Sequence, residues 1–270
     1  MDFVVFNNLN MDIVLKEDYK SVTEISGDSV SLEQVERIQN RYCWAKKYCE
    51  NKDVLEVACG SGQGLGLISS CANTITAGDY SSEVLKTAIN YYGDRVPLKV
   101  FDAQKMPFND NVFDVVIIFE AIYYLPNFIV FLDECKRVLK RNGTVLISVP
   151  NNTLGDFNRS PYSYDYYNVG ELRNILSENG FSSEFFGYLS VKGVSLKQKI
   201  FRPIKKIAVA LNLIPKTMAG KKVLKRIVFG KLVKMPNEIF IEDCKTCKEV
   251  EPLDTDESTH KVIYCVALVK

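Results

Sequence analysis

A chain of 270 residues with 47% hydrophobic and 25% charged residues has the make-up of a folded globular protein, one large domain or a domain with an elaboration. That excludes a wholly disordered, collagenous or coiled-coil chain. The 34 Lys+Arg nearly cancel the 33 Asp+Glu, and a formal net charge of +1 argues at first sight against a dedicated polyanion binder.

After a polar N-terminal stretch, Ser31 to Cys49 reads as a helix that begins near Asp28–Ser31, with Glu33 and Glu36 favouring the positive end of its dipole. A repeated pattern of strand, turn and helix follows. Asp53 to Ala58 is a short apolar run that leads at once into a glycine-rich turn, Cys59 to Gly66. Thr74 to Gly78 predicts a second strand, and Ser81 to Tyr92 a helix with Ser81 as its N-cap. Leu98 to Phe101 is a third strand. Phe113 to Phe119 is almost continuously apolar, as a parallel strand buried on both faces should be. Pro126 to Leu139 reads as a helix, Thr144 to Val149 as a strand, Val169 to Asn179 as a helix and Phe181 to Leu189 as a strand. The last run, Lys261 to Val269, is β-rich and is expected to return antiparallel at the sheet edge. Strands alternating with helices at this spacing imply an α/β fold: a Rossmann-like, doubly wound, mainly parallel sheet of seven strands. Residues 1–190 are expected to form the N-terminal helix and ligand-binding core, 191–258 a basic helical insertion, and 259–270 the returning strand.

No segment approaches the ~18 consecutive apolar residues of a spanning helix. Met1 to Asn10 holds a four-residue apolar run with no basic flank, unlike a secretory signal, so a cytoplasmic protein is expected. The eight cysteines fit reduced thiols better than a secreted disulfide scaffold. Cys244-Lys-Thr-Cys247 has metal-knuckle spacing, but the chain has no second such pair and only one histidine, His260, so no metal is expected.

The glycine turn offers backbone N–H groups and room for a ligand to approach the main chain. The dinucleotide fingerprint fails here, because counting from Gly60 places Leu65 where its third glycine belongs. An acid, Glu56, precedes the turn and suits a cationic or hydroxyl-bearing ligand. A second acid, Asp79, ends the next strand, where ribose hydroxyls can be bound. Asp53-Val-Leu-Glu-Val-Ala-Cys-Gly-Ser-Gly62 resembles the first motif of class I S-adenosylmethionine-dependent methyltransferases, and Ala77-Gly-Asp-Tyr-Ser81 their second. Phe101-Asp-Ala-Gln-Lys-Met-Pro-Phe108, Phe113-Asp114 with its apolar strand, and Glu134 to Gly143 followed by Ser148-Val-Pro-Asn151 are similar to later motifs of the type 11 group. The resemblance runs from about Tyr42 to Leu189. It implies S-adenosylmethionine as cofactor, with Glu56, Ala58, Gly60 and Gly62 at the methionine moiety, Asp79 on the ribose and Tyr80 against the adenine. Asp102 and Ala103 would meet the adenine edge, and Phe119 and Glu120 would line the sulfonium end. The reaction implied is methyl transfer, in which alignment of nucleophile, methyl and sulfur is the enzyme's main contribution.

The acceptor side is read from fewer residues. Tyr124 stands where many relatives carry His, either to orient an acceptor or, with Tyr123, simply as a wall. A phenol with an unperturbed pKa near ~10 is a poor base at neutral pH. The aromatic, polar segment Arg159 to Tyr167 lies beyond the fifth strand. It resembles a stretch in relatives associated with sugar and surface-polysaccharide methylation, which often has His where Ser163 stands. Lys192 to Lys234 packs 13 Lys+Arg and no acid into 43 residues, which leaves −12 for the rest of the chain. Apolar spacing predicts two basic amphipathic helices there. Three readings of them stand: a solvated face packed on the core, a cap for an anionic acceptor, or peripheral membrane contact. Specific nucleic-acid binding is not expected, since no reader motif occurs. The leading expectation is methyl transfer to a small or glycan acceptor, a sugar hydroxyl or amino group in polysaccharide or natural-product assembly, phosphorylated, nucleotide-linked or lipid-linked. A methyltransferase for a non-sugar metabolite and a catalytically silent S-adenosylmethionine-binding protein are the alternatives.

Overall fold

The computed structural model describes residues 23–160, 162–191, 232–254 and 258–270. In chain order the elements are β1 (Ser29–Val30), α1 (Leu32–Cys49), β2 (Asp53–Val57), α2 (Leu65–Ser69), β3 (Thr74–Asp79), α3 (Ser82–Tyr92), β4 (Leu98–Val100), β5 (Phe113–Phe119), α4 (Phe128–Val138), β6 (Leu139–Pro150), α5 (Val169–Glu178), β7 (Phe181–Ser190), β8 (Val233–Lys234), β9 (Glu251–Leu253) and β10 (His260–Val269). Their starts follow from local chemistry. Ser31 accepts from the Gln34 N–H while the Gln34 side chain accepts from the Ser31 N–H, a reciprocal cap that opens α1. Asn168 and Glu171 do the same for α5.

The main sheet has eight strands in the order β4-β3-β2-β5-β6-β10-β7-β9. β4, β3, β2, β5 and β6 run parallel, while β10 is antiparallel to both β6 and β7. This corrects two expectations. The sheet has eight strands, because the short β9 adds to β7, and the final strand lies inside the sheet with β7 and β9 beyond it. The physical reason is legible in its side chains: Val262, Ile263, Tyr264, Cys265 and Ala267 are all buried, on alternating faces, as an interior strand requires. The sixth strand also begins earlier than expected, at Leu139. Asn142, at φ 60°, is absorbed in an irregularity of the β5–β6 ladder and does not form a turn before the strand.

Alternate residues of the strands feed two cores. Val54, Val115, Ile117, Phe119 and Tyr264 pack under α1, α2 and α3. Leu55, Val57, Val116, Ile118 and Cys265 pack under α4 and α5. Such two-sided burial explains why β2 and β5 read as continuous apolar runs. β1 and β8 form a separate antiparallel pair. The two basic helices expected within Lys192–Lys234 fall almost wholly outside the described residues. Among the described residues no helix is long and apolar enough to cross a membrane.

The thiol expectation fails at one pair. Cys43 of α1 and Cys244 of the 3-10 turn Ile241–Thr246 are joined in a disulfide across 201 residues of sequence. With Cys244 bonded to Cys43, the Cys244–Cys247 pair is no metal knuckle. Cys247 is a free thiol.

Candidate active site

The sheet reverses direction of growth between β2 and β5. From β2 the chain proceeds outward to β3 and β4, then returns to place β5 and β6 on the other side. In open α/β sheets such a switch point opens a crevice past the C-terminal strand ends. Both chains leave it in the left-handed region: Ala58 follows β2 at φ 53°, and Glu120 follows β5 at φ 54°. A side-chain-bearing residue there costs on the order of 1–3 kcal/mol, and such strain gathers where a site needs it. Gly60 and Gly62, at φ 61° and 81°, continue the turn.

Asp79 at the tip of β3 fixes that turn. Its Oδ2 accepts from the Gly60 N–H at 2.9 Å and its Oδ1 from the Ser81 N–H at 2.8 Å. Burial raises its pKa, and these two N–H groups oppose the rise. Each oxygen keeps a further lone pair for a hydroxyl donor. Tyr92 braces the far side, donating to the Gly62 carbonyl at 2.8 Å and accepting from the Gly66 N–H at 3.1 Å.

Beneath the turn sits Glu56, 1% exposed. Tyr42 of α1 donates to its Oε1 at 2.5 Å, while Oε2 is buried with no partner. Burial pushes the Glu56 carboxyl up to about 7, against the Tyr42 hydrogen bond and the nearby Arg41 charge. Arg41 is the complementary case. Its guanidinium lies 5.6 Å from the Tyr42 ring centroid and 5.9 Å from that of Phe119, and its Nε is buried with no acceptor. The site thus holds a buried acceptor without a donor and a buried donor without an acceptor, either of which costs free energy unless a ligand completes it. An amino acid moiety, with one ammonium and one carboxylate, has the matching pair of groups. The methionine end of S-adenosylmethionine fits these residues.

The other expected residues separate into two groups. Phe119 is buried against Tyr42, with ring centroids 5.3 Å apart, beside Arg41 at the crevice floor. Asp102 and Ala103 lie past β4; the Asp102 Oδ1 accepts from the Gln104 N–H at 2.8 Å in a local turn, and Ala103 is buried. Tyr80 sits between Asp79 and Ser81, half-buried. Glu120, Tyr123 and Tyr124 occupy the β6 side. Glu120 accepts from Ser148 at 2.9 Å and Tyr123 at 3.3 Å, and the Arg37 guanidinium stands 3.7 Å away. Burial opposes the charge of Arg37, but the carboxylates of Glu120, Glu24 and Glu33 outweigh it.

Tyr124 donates to Ser160 at 2.8 Å, and burial pushes its hydroxyl up to about 12. A phenol so raised and so engaged is not a general base at neutral pH. It anchors the segment beyond β6. Tyr166 stacks on Tyr123 with ring centroids 4.5 Å apart, Phe157 meets Tyr166 edge-on, and Arg159 lies over the same ring. His260 starts β10 at this end of the sheet, buried, with Nε2 at 3.2 Å from Glu251.

Arg37, Arg41 and Tyr42, all on α1, were not legible as site residues from the sequence. The available signal was their spacing, since Arg37 and Arg41 lie one turn apart beside the apolar stripe of Ile38, Tyr42 and Ala45.

Residues 55–147 match the family described as "Methyltransferase domain". A probable S-adenosylmethionine-dependent methyltransferase of Mycobacterium tuberculosis is 34% identical over 140 residues, 49% of this chain and 50% of that one. A fatty-acid O-methyltransferase of Mycolicibacterium smegmatis is 37% identical over 103 residues, 36% of each chain. The fold is shared with a solved structure from Thermotoga maritima, described as an S-adenosylmethionine-dependent methyltransferase and possible histamine N-methyltransferase. That likeness has a TM-score of 0.55 at 13% identity, over 88% of this chain and 92% of the other. The chain spans about half the length of the first curated relatives it matches. The sheet order and crevice are those of a Rossmann-like α/β fold, and the segment that builds the crevice is the one similar to S-adenosylmethionine-dependent methyltransferases.

Proposed function

We propose that the protein transfers a methyl group from S-adenosylmethionine to a small or glycan acceptor. The observation that carries this is the paired vacancy in hydrogen bonding at the switch point: Glu56 Oε2 without a donor and Arg41 Nε without an acceptor. In this reading Glu56 takes the cofactor's ammonium and Arg41 its carboxylate, with Ala58, Gly60 and Gly62 letting the backbone approach. Asp79 accepts from the ribose hydroxyls, Tyr80, Asp102 and Ala103 frame the adenine, and Phe119 and Glu120 line the sulfonium end. When bound, the cofactor supplies an activated methyl group. The chain's own residues supply alignment, and the buried floor of Phe119 and Tyr42 keeps water from the reacting end.

In this reading the acceptor side is the aromatic cluster of Tyr123, Tyr166 and Phe157, with Glu120 bonded to the Tyr123 hydroxyl. Ring faces beside a hydrogen-bonding acid suit a sugar hydroxyl or amino group, and the basic run 192–234 favours an acceptor that is phosphorylated, nucleotide-linked or carried on an anionic membrane surface. Glu120 is the group positioned to receive the acceptor's proton, because Tyr124 is not. A second reading is favoured by that same fact: an acceptor already nucleophilic at neutral pH, such as a carboxylate, needs no base at all. The fatty-acid relative supports this reading. Isothermal titration with S-adenosylhomocysteine, followed by mass spectrometry of methyl transfer across amino sugars, nucleotide sugars and fatty acids, tests both. Binding without transfer to any of them would favour a silent cofactor-binding protein.

A further inference from the structure

Residues 232–239 cross the cofactor turn as a strap. β8 pairs with β1, and the backbones of Met235 and Gly27 and of Met235 and Asp28 bond at 2.9 Å each. Glu238 then accepts from the two terminal guanidinium nitrogens of Arg95, at 2.9 and 3.3 Å, above Gly66. A Cβ on Gly66 would lie 1.6 Å from Glu238 Oε1, so the strap presses on the start of α2 itself. The Ile239 N–H donates to the Gln63 carbonyl at 2.8 Å, inside the glycine turn. The strap also holds down residues 23–28. There Ser26 N–H donates to Ser61 Oγ at 3.0 Å and Gln63 Nε2 donates to the Glu24 carbonyl at 2.8 Å. Five residues beyond Ile239, Cys244 is bonded to Cys43 of α1, the helix that supplies Arg41 and Tyr42.

From this arrangement we infer that the Cys43–Cys244 disulfide is a redox-modification site that sets cofactor affinity, and that its chemical partner is a dithiol reductant. The inference rests on the cofactor reading above. Reduction consumes one dithiol and yields its disulfide plus the two thiols of Cys43 and Cys244. It breaks one S–S bond and forms another. Access is available, since both half-cystines are part-exposed and Lys245 and Thr246 beside them are exposed. Cys49, Cys59, Cys135 and Cys265 are buried and out of reach of such a partner. Cys247 caps the 3-10 turn three residues after Cys244, its N–H bonded to the Cys244 carbonyl at 3.2 Å. Burial and the Asp243 charge raise the Cys247 thiol, which keeps it protonated and slow to attack the disulfide unaided. With the disulfide open, the strap is tied to α1 only by weaker links, such as the Asn40 Nδ2 bond to the Lys248 carbonyl at 2.7 Å.

The test uses the purified full chain, oxidised and after dithiothreitol, with the disulfide located by non-reducing peptide mass mapping. Hydrogen exchange follows residues 58–66 and 232–250, and calorimetry gives the affinity for S-adenosylhomocysteine. Reduction is expected to speed exchange in both segments and weaken affinity about fivefold or more, the low end of common coupling between sites. Cys244→Ser should behave as the reduced protein without reductant, and Cys247→Ser should respond as wild type does. Should Cys244→Ser not fold, reduced wild type carries the comparison. Absence of a Cys43–Cys244 disulfide in the oxidised protein, or unchanged exchange and affinity after complete reduction, overturns the inference. Faster exchange with no ligand binding in either state overturns the cofactor reading instead.

Discussion

Tyr42 and Glu56 share a buried hydrogen bond of 2.5 Å between α1 and the end of β2, and it leaves the second carboxylate oxygen of Glu56 unmatched. A carboxyl raised to about 7 in the folded protein has a definite effect on stability. Below its ordinary range it is protonated in both folded and unfolded chains and costs nothing. Between that range and about pH 7 the unfolded chain gives up the proton while the folded chain keeps it, so stability falls across that window by about 3 kcal/mol and stays lower above pH 7, where the carboxylate is buried charged. Glu56→Gln keeps an acceptor for Tyr42 and removes the charge. The variant should therefore melt higher than wild type at pH 8 and equal to it at pH 4.5, while binding S-adenosylhomocysteine more weakly at pH 8. Melting curves that differ equally at both pH values would refute the buried-charge account.

Arg41 offers the opposite test. Its guanidinium has ring contacts but no acceptor at Nε, so Arg41→Leu removes little from the ligand-free fold. A charge-assisted hydrogen bond to a carboxylate is worth about 1.5–3 kcal/mol, so affinity for S-adenosylhomocysteine should fall roughly 10- to 100-fold. Adenosine lacks the amino acid moiety and should bind the variant as it binds wild type. Equal losses for both ligands would place Arg41 in the fold and not at the carboxylate.

Much of this site is legible in the sequence. Gly60, Gly62, Glu56 and Asp79 sit on short-range patterns, a strand end followed by a turn, and the alternation of strands and helices orders them around one crevice. What was not legible depends on distant pairing. Cys43 and Cys244 are separated by 201 residues, and no spacing rule connects them. The place of β10 inside the sheet rests on β7 pairing beyond it, which the β-rich run 261–269 does not disclose. Arg41 is one charge among several on α1, and its orphaned Nε becomes visible only once Phe119 and Tyr42 are packed around it. Tyr124 stands out by its place in a motif, but its raised pKa comes from burial, which outweighs the lowering by its bond to Ser160, 36 residues on.

That bond predicts the behaviour of Tyr124→Phe. Losing it frees the Ser160 end of the aromatic wall without touching Glu56, Asp79 or Arg41. Turnover, once an acceptor is in hand, should fall on the order of tenfold through misplacement of the acceptor. The pH–rate profile between pH 6 and 9 should keep its shape, and S-adenosylhomocysteine should bind as before. A titrating limb that vanishes in the variant would return Tyr124 to the role of base.

Gly66 provides a test of the strap that does not involve thiols. In a short helix Gly→Ala ordinarily gains about 1 kcal/mol from propensity. Here the added Cβ would meet Glu238 Oε1 at 1.6 Å, and that carboxylate cannot swing away freely because Arg95 holds both its oxygens. Gly66→Ala should therefore destabilise by about 1–3 kcal/mol, the range for overpacking a filled site. In a Glu238→Ala background the obstacle is gone, and the same substitution should be neutral or stabilising. Urea denaturation of wild type, both single variants and the double variant measures the coupling directly. Additive effects across the cycle would mean that the strap does not bear on the cofactor turn.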